Sequence, residues 1–292
     1  MKRSRWRDSG IAVLMLAPSA VVLALFVIYP LIRAVFLGTQ RCGVTSCRTT
    51  GWHQYIDAFR SNEFQDSLVV TFKYALITVP IGLALGVGLA VLADKYIRGI
   101  GIFRTVFSST VATSVAVASV MWVFLLNPNI GIVADWIGGV AKNPGLLQDP
   151  DTALWAVSAS SIWANLGFTF IVVTAGLQSV PRDLYESAYV DGANGFTRFT
   201  NVTLPMISPT LLFASVVLTS RAFQSFGEID LLTGGGPKGR TTTLTYLAYG
   251  SGLPTSGDDG LRATVSILLF FVLLVLSLVQ FSGLERRVHY GN

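Results

Sequence analysis

Apolar residues in this chain fall into long unbroken blocks, not into the alternating or three-and-four spacing of elements half exposed to water. A helix rises about 1.5 Å per residue, so crossing a hydrocarbon core of about 30 Å takes roughly 20 apolar residues. Six blocks meet or approach that length: 11–32, 74–93, 105–126, 153–177, 206–226 and 263–281. The fifth is short alone and reaches spanning length only by running past Arg221. Lipid offers no partner to backbone N–H and C=O groups, so each block is predicted to be helical. The alternation of a barrel strand does not occur. The expected fold is an all-α integral membrane protein of six transmembrane helices, a single transmembrane domain over 1–292.

Composition agrees with the pattern. Only 13% of the 292 residues are charged, against roughly 25% in soluble domains. The net charge of +5 lacks the interleaved aromatics of a nucleic-acid face, so it reads as a membrane-orientation signal. Lys2, Arg3, Arg5 and Arg7 precede the first block, and no small-residue cleavage site ends that block, so it is read as an uncleaved span. With the N-terminus inside, Lys and Arg are nearly equal in number on the two sides. The inside segments are much shorter, so positive charge is denser there. Lys95, Arg98 and Arg104 crowd the next inner loop, and Arg286 and Arg287 close the chain. Both termini are expected in the cytoplasm, with segments 38–67, 127–152 and 227–262 outside and 178–205 inside.

Cys42 and Cys47 then share the first outer loop. Their spacing and compartment permit a disulfide, and two free thiols remain equally open. A metal site is disfavoured, since no second thiolate pair lies near. The histidines, His53 and His289, join no His-Glu-x-x-His pattern, and Ser-x-x-Lys and Gly-x-Ser-x-Gly are absent. The glycine-rich segment 234–241 fails as a phosphate loop because Lys238 precedes Gly239 and Arg240. A turn that contacts an outer partner is the preferred reading for Gly234, Gly235, Gly236 and Pro237. No enzyme, metal or cofactor of the chain's own is expected, so energy must come from another chain.

The inner loop 178–205 carries the most order. Pro181 suits the first turn of a helix and Asp183 complements its dipole. Tyr185, Ala188, Tyr189 and Gly192 fall on one helical face, and Gly192 is placed to turn the chain. A second short helix is expected over 196–199, ended by Leu204-Pro205 before span five. An amphipathic loop lying in the interface plane is the plain alternative. The sequence Glu186-Ser187-Ala188, three residues, Gly192, nine residues, Val202-x-Leu204-Pro205 resembles the EAA loop of ABC-importer permeases, with Ser187 and Val202 as the departures. The resemblance implies that Tyr185, Glu186, Ser187, Ala188, Asp191, Gly192, Leu204 and Pro205 couple the chain to an ATP-hydrolysing subunit.

The likeness runs further. Ala17-Pro18, Tyr29-Pro30, Trp52 and Tyr55, the Thr233–Pro237 turn and the Thr241-Thr242-Thr243 run are similar to the carbohydrate and glycerol-3-phosphate group. Val279-Gln280-Phe281 with Glu285, Val288 and Tyr290 resembles its UgpA-type members. This implies a type I ABC-importer permease in a bacterial cytoplasmic membrane. Its implied partners are a second permease subunit, a nucleotide-binding ATPase dimer using ATP and Mg, and an extracytoplasmic solute-binding protein. The implied cargo is sn-glycerol 3-phosphate or a glycerophosphodiester such as glycerophosphocholine, or less specifically a sugar.

Arg221 is the clearest charge within a block. Snorkelling to the interface explains it plainly, and attraction of an anionic or zwitterionic cargo explains it more sharply. Gln224, Ser225, Glu228, Asn165 and Thr169 are its candidate companions on the pathway, although a mid-membrane Asn more often bonds between helices. Two other functions compete. A self-sufficient secondary transporter requires acidic residues within the spans, and the six blocks hold none. A non-transporting scaffold subunit stays open.

Overall fold

A computed structural model describes residues 2–42, 46–94, 98–141, 143–250 and 258–284. Lys95, Glu285, Arg286, Arg287, Val288 and Tyr290, used in the reading above, lie outside these residues. The chain begins with helix α1 (Lys2–Leu23), which passes through a π-helical turn (Ala24–Ile28) into α2 (Tyr29–Leu37). The apolar stretch Ala12–Leu37 is unburied along its length. A hairpin of β1 (Gln40–Cys42) and β2 (Cys47–Thr49) follows, then α3 (His53–Arg60) and α4 (Asn62–Ala93).

Span two therefore starts well before the apolar block at 74. Ser61 caps α4 by accepting from the Phe64 amide at 3.2 Å, so the helix carries Glu63, Asp66 and Lys73 outward beyond its apolar part.

Span three is not one straight helix. α5 (Ile100–Ser109) runs through a 3₁₀ turn (Thr110–Ala112), and the path to α6 (Val115–Leu125) bends by 106°. The cause is local: Ser and Thr hydroxyls through 108–114 compete for backbone groups, and Ser114 is extended and caps α6. α7 (Ile132–Ile137) and a 3₁₀ turn follow, then α8 (Ala153–Gln178), which packs along α4. Where these two helices touch, a side chain on Gly86 would collide with Thr169, so glycine sets their approach.

The inner loop contributes α9 (Arg182–Val190), α10 (Gly195–Arg198), a π-helical turn (Phe199–Thr203) and α11 (Leu204–Met206). Leu204-Pro205 does not end the second short helix as the sequence predicts. The helical path continues to Met206 and bends by 69° into α12 (Ser208–Phe223). Pro209, in the first turn of α12, has no N–H to offer the Pro205 carbonyl. The Ser208 hydroxyl donates to that carbonyl at 2.6 Å instead. α13 (Gly227–Leu232), α14 (Leu244–Tyr249) and α15 (Asp259–Leu284) complete the description. Among the described residues, four helices are long and apolar enough to cross a membrane, and counting each bent pair as one span gives six.

Among the described residues three apolar clusters hold the bundle, the smallest gathering Phe64, Leu244, Leu247 and Val265, beside two larger ones. One, toward the outer end, gathers Tyr74, Leu126, Val157, Phe223 and Ile229. The other, toward the inner loop, gathers Val87, Phe170, Val173, Leu177 and Ile207. The outer hairpin is closed by a Cys42–Cys47 disulfide, which decides between the two states the spacing leaves open. Asp258 Oδ1 accepts from the amides of Cys42, Gly260 and Leu261, so one carboxylate caps α15 and ties the hairpin to it. Tyr55 donates to the Val35 carbonyl at 2.8 Å, and burial pushes its phenol above the usual range.

Candidate functional site

Two regions bring the candidate residues together. The first is the inner loop. Pro181 stands at the start of α9 and Asp183 in its first turn. The helix closes in a backbone motif: Gly192 at φ +76° lets the Ala193 amide reach back to the Ala188 carbonyl at 2.9 Å. Asn194 then caps α10, its Oδ1 accepting from the Thr197 amide and hydroxyl. The spacing from Ala188 to Gly192 is thus the spacing of a helix and its left-handed stop.

Tyr185, Ala188, Tyr189 and Gly192 differ in exposure along the helix and its stop. Tyr185 turns inward, packs on the inner cluster and shares a 3.1 Å hydrogen bond with Thr203. Ala188 is half-buried, while Glu186, Ser187, Asp191 and Gly192 are exposed. Tyr189, Val190 and Phe196 are 72%, 84% and 77% exposed, a concentration of apolar surface on an otherwise polar loop. Leu204 is exposed and Pro205 half-buried at the base of span five. A side chain at Gly192 would meet nothing within 4 Å, so the turn itself, and no internal packing, requires glycine there.

The second region is a cavity of about 530 Å³, open to one side, where α8, the end of α12 and the start of α6 converge. Arg221, Asn165, Gln224 and Glu228 all line it. Asn165 Nδ2 donates to the Ser161 carbonyl at 2.9 Å, which leaves Oδ1 to accept from Arg221 Nη1 at 2.9 Å. The guanidinium also lies over the Phe168 ring, 4.4 Å from its centre. These contacts hold the planar fork in place while the side chain stays exposed. Glu228 is buried in α13, and its Oε2 accepts from the Tyr74 hydroxyl and the Ser225 hydroxyl, each at 2.9 Å. The cavity therefore presents a positioned cation, a carboxylate held back by two donors, and the amide of Gln224.

Thr169 does not belong to it. Its side chain is fully buried against Gly86 and donates to the Asn165 carbonyl, one turn deeper in α8. Ser225 lines it as expected, and Tyr74, Ser161 and Phe168 take part as well, which the sequence reading missed. The run of serines at 158, 160 and 161 inside an apolar block is the one signal that pointed there. Of the proposed outer turn, Gly234 is exposed, Gly235 buried, and Gly236 and Pro237 half-buried. Among the described residues, no group of three or more His, Cys, Asp or Glu side chains is placed to hold a metal ion.

The chain resembles known proteins over nearly its whole length. A family model described as "Binding-protein-dependent transport system inner membrane component" matches residues 1–290. The sn-glycerol-3-phosphate transport system permease protein UgpA of Agrobacterium fabrum (strain C58) is 32% identical over 95% of this chain and 96% of its own. Its counterpart in Salmonella choleraesuis (strain SC-B67) is 33% identical over 99% and 97%. Among solved structures, a subunit of a bacterial ABC transporter involved in the import of the acidic polysaccharide alginate superposes with a TM-score of 0.81. It is 25% identical and covers 97% of this chain and 99% of its own.

Proposed function

The chain belongs to the family of binding-protein-dependent transport system inner membrane components, and from that premise we propose that it admits phosphorylated glycerol compounds through the Arg221 cavity. It is a multi-pass permease subunit of the inner membrane with the type I ABC-importer fold. Its cargo is sn-glycerol 3-phosphate or a glycerophosphodiester. The partners are a second permease subunit, a solute-binding protein on the outer side and a separate ATPase dimer that consumes ATP and Mg. This chain performs no hydrolysis and holds no cofactor. Both termini lie in the cytoplasm.

One observation carries the cargo: Arg221, fixed by Asn165 and Phe168, presents its guanidinium to a 530 Å³ cavity. A planar, permanently charged fork pairs with two phosphate oxygens at once, and its strength grows where water is excluded. The carboxylate of Glu228 accepts from Tyr74 and Ser225, so part of its charge is already taken up on the far wall. On the inner side, Tyr189, Val190 and Phe196 form the knob that enters the ATPase groove. The Tyr185–Thr203 bond links that knob to the foot of span five, whose outer end carries Arg221.

The test compares Arg221→Gln with Arg221→Lys in the assembled importer, with complex quantified in the same membranes. Gln keeps hydrogen bonding and removes the charge, while Lys keeps the charge and loses the fork. Initial uptake of sn-glycerol 3-phosphate at saturating binding protein should fall at least about tenfold for Gln, equivalent to roughly 1.4 kcal/mol, and less for Lys. Parent-like uptake in Arg221→Gln removes the residue from the path. A sugar acid is the second reading, favoured by the alginate importer whose subunit shares this fold. Preferential uptake of uronate oligomers would select it.

A further inference from the structure

A second cleft, of about 550 Å³, opens at the outer end of α4, separate from the Arg221 cavity. Lys73, Lys238 and Arg240 line it, together with Glu63 and Asp66. Charged groups that converge on one cleft usually pair. Among the described residues, none of these five makes an ion pair or a side-chain hydrogen bond. Helix geometry explains part of this. Asp66 and Glu63 stand about 10 and 15 Å outward of Lys73 along the α4 axis, out of contact range. Lys73 is thereby left without a carboxylate in reach, where the apolar part of α4 begins, and Lys238 and Arg240 make no ion pair in the same cleft.

The loop that supplies the other two cations is stitched into one shape. Thr241 donates to the Gly236 carbonyl at 2.7 Å and Thr242 to the Gly235 carbonyl at 2.9 Å. Thr233 and Thr241 share a hydrogen bond of 2.7 Å. Lys238 sits at φ +52°, a left-handed conformation that L-residues adopt at a cost and that the surrounding bonds hold. A loop ordered before any ligand arrives loses little freedom on binding, which favours affinity for a small anion. The cleft volume matches a metabolite-sized ligand. Lys73 is also next in sequence to Tyr74, whose hydroxyl bonds Glu228 on the wall of the Arg221 cavity.

We propose that Lys73, Lys238 and Arg240 form an outer binding site for a phosphate ester, distinct from the Arg221 cavity. Two sources offer that chemistry: the cargo before it enters the path, and the headgroup of an anionic lipid. The inference rests on the phosphorylated-cargo reading for the first source alone.

The test uses the complete importer in phosphatidylcholine nanodiscs, without the solute-binding protein, and measures binding of radiolabelled sn-glycerol 3-phosphate. The double variant Lys238→Gln/Arg240→Gln should weaken binding at least about tenfold, and Lys73→Gln should weaken it too. The same measurement in an Arg221→Gln background separates any binding contributed by the Arg221 cavity, and the loss of about tenfold from the double variant should persist there. Nanodiscs containing phosphatidylglycerol separate the sources. Displacement of the soluble ester by that lipid, abolished in the double variant, assigns the lipid headgroup, and no displacement assigns the cargo. Parent-like binding by both the double variant and Lys73→Gln, in both lipid compositions, overturns the site. So does a loss of solute-binding-protein association with ester binding unchanged, since the cleft is then a protein contact. Failure of Arg221→Gln to impair uptake bears on the cargo reading and leaves this site standing.

Discussion

Arg221 and Asn165 are separated by 56 positions in the chain and by 2.9 Å in space. Either residue stands out in its own apolar block, because a charge or amide in lipid must be compensated. Their partnership was not legible, since it depends on how α8 and α12 cross. Thr169 shows the opposite failure. Four residues after Asn165, it shares that residue's helical face by spacing, yet it lies one turn deeper, where α4 closes over it. The two positions should therefore separate in function. Asn165→Ala frees the guanidinium and should lower uptake several-fold, whereas Thr169→Ala should transport like the parent. Initial uptake rates per assembled complex decide this. Tyr74 was read only as the first residue of a span, because nothing in a row of apolar letters shows a phenol reaching a carboxylate in another helix. Tyr74→Phe removes the hydroxyl that bonds both Glu228 and Ser225 and should lower complex stability by about 1 kcal/mol or more, read as a lower melting temperature in detergent.

Among the elements, α9 and its left-handed stop were the most legible, because a helix, a glycine and a cap are local features. The bends were not. The 69° turn at Ile207 and the 106° turn after Ala112 arise where Pro209 withdraws a donor and where hydroxyls through 108–114 bond locally. Hydropathy averages over such features, so the third and fifth spans read as continuous. Gly192→Pro forbids φ +76°, and Gly192→Trp adds bulk at an exposed turn. Both should leave the chain inserted and lower its co-purification with the ATPase subunit. Glu186→Lys, and Tyr189→Ser with Phe196→Ser, should act alike. Normal ATPase association in all of these sinks the docking role. The α4–α8 contact makes a compensation test. Gly86→Ala should reduce yield, and adding Thr169→Ala should recover part of it, since the removed methyl is one of the groups the new side chain strikes. No recovery places the cost elsewhere.

At the scale of the whole molecule, the cavity around Arg221 and the exposed residues of the 178–205 loop lie at opposite ends of the bent fifth span. Fold class was readable because bilayer thickness dictates block length. The location of the cavity was not, since it is built from three separate stretches of chain. Topology is checked with single cysteines in a Cys42→Ser/Cys47→Ser background. Cysteines at Asn129 and Gly145 should react with a membrane-impermeant maleimide from outside, and one at Asn194 should not. The most direct measurement of the central claim is uptake of sn-glycerol 3-phosphate by proteoliposomes that contain this chain, its partner permease and the ATPase, with the solute-binding protein on the outer side. The account predicts uptake that requires ATP on the cytoplasmic side, disappears with Gly192→Pro and falls strongly with Arg221→Gln. Uptake driven by an ion gradient without ATP, or ATP-driven uptake that both variants leave intact, would contradict it.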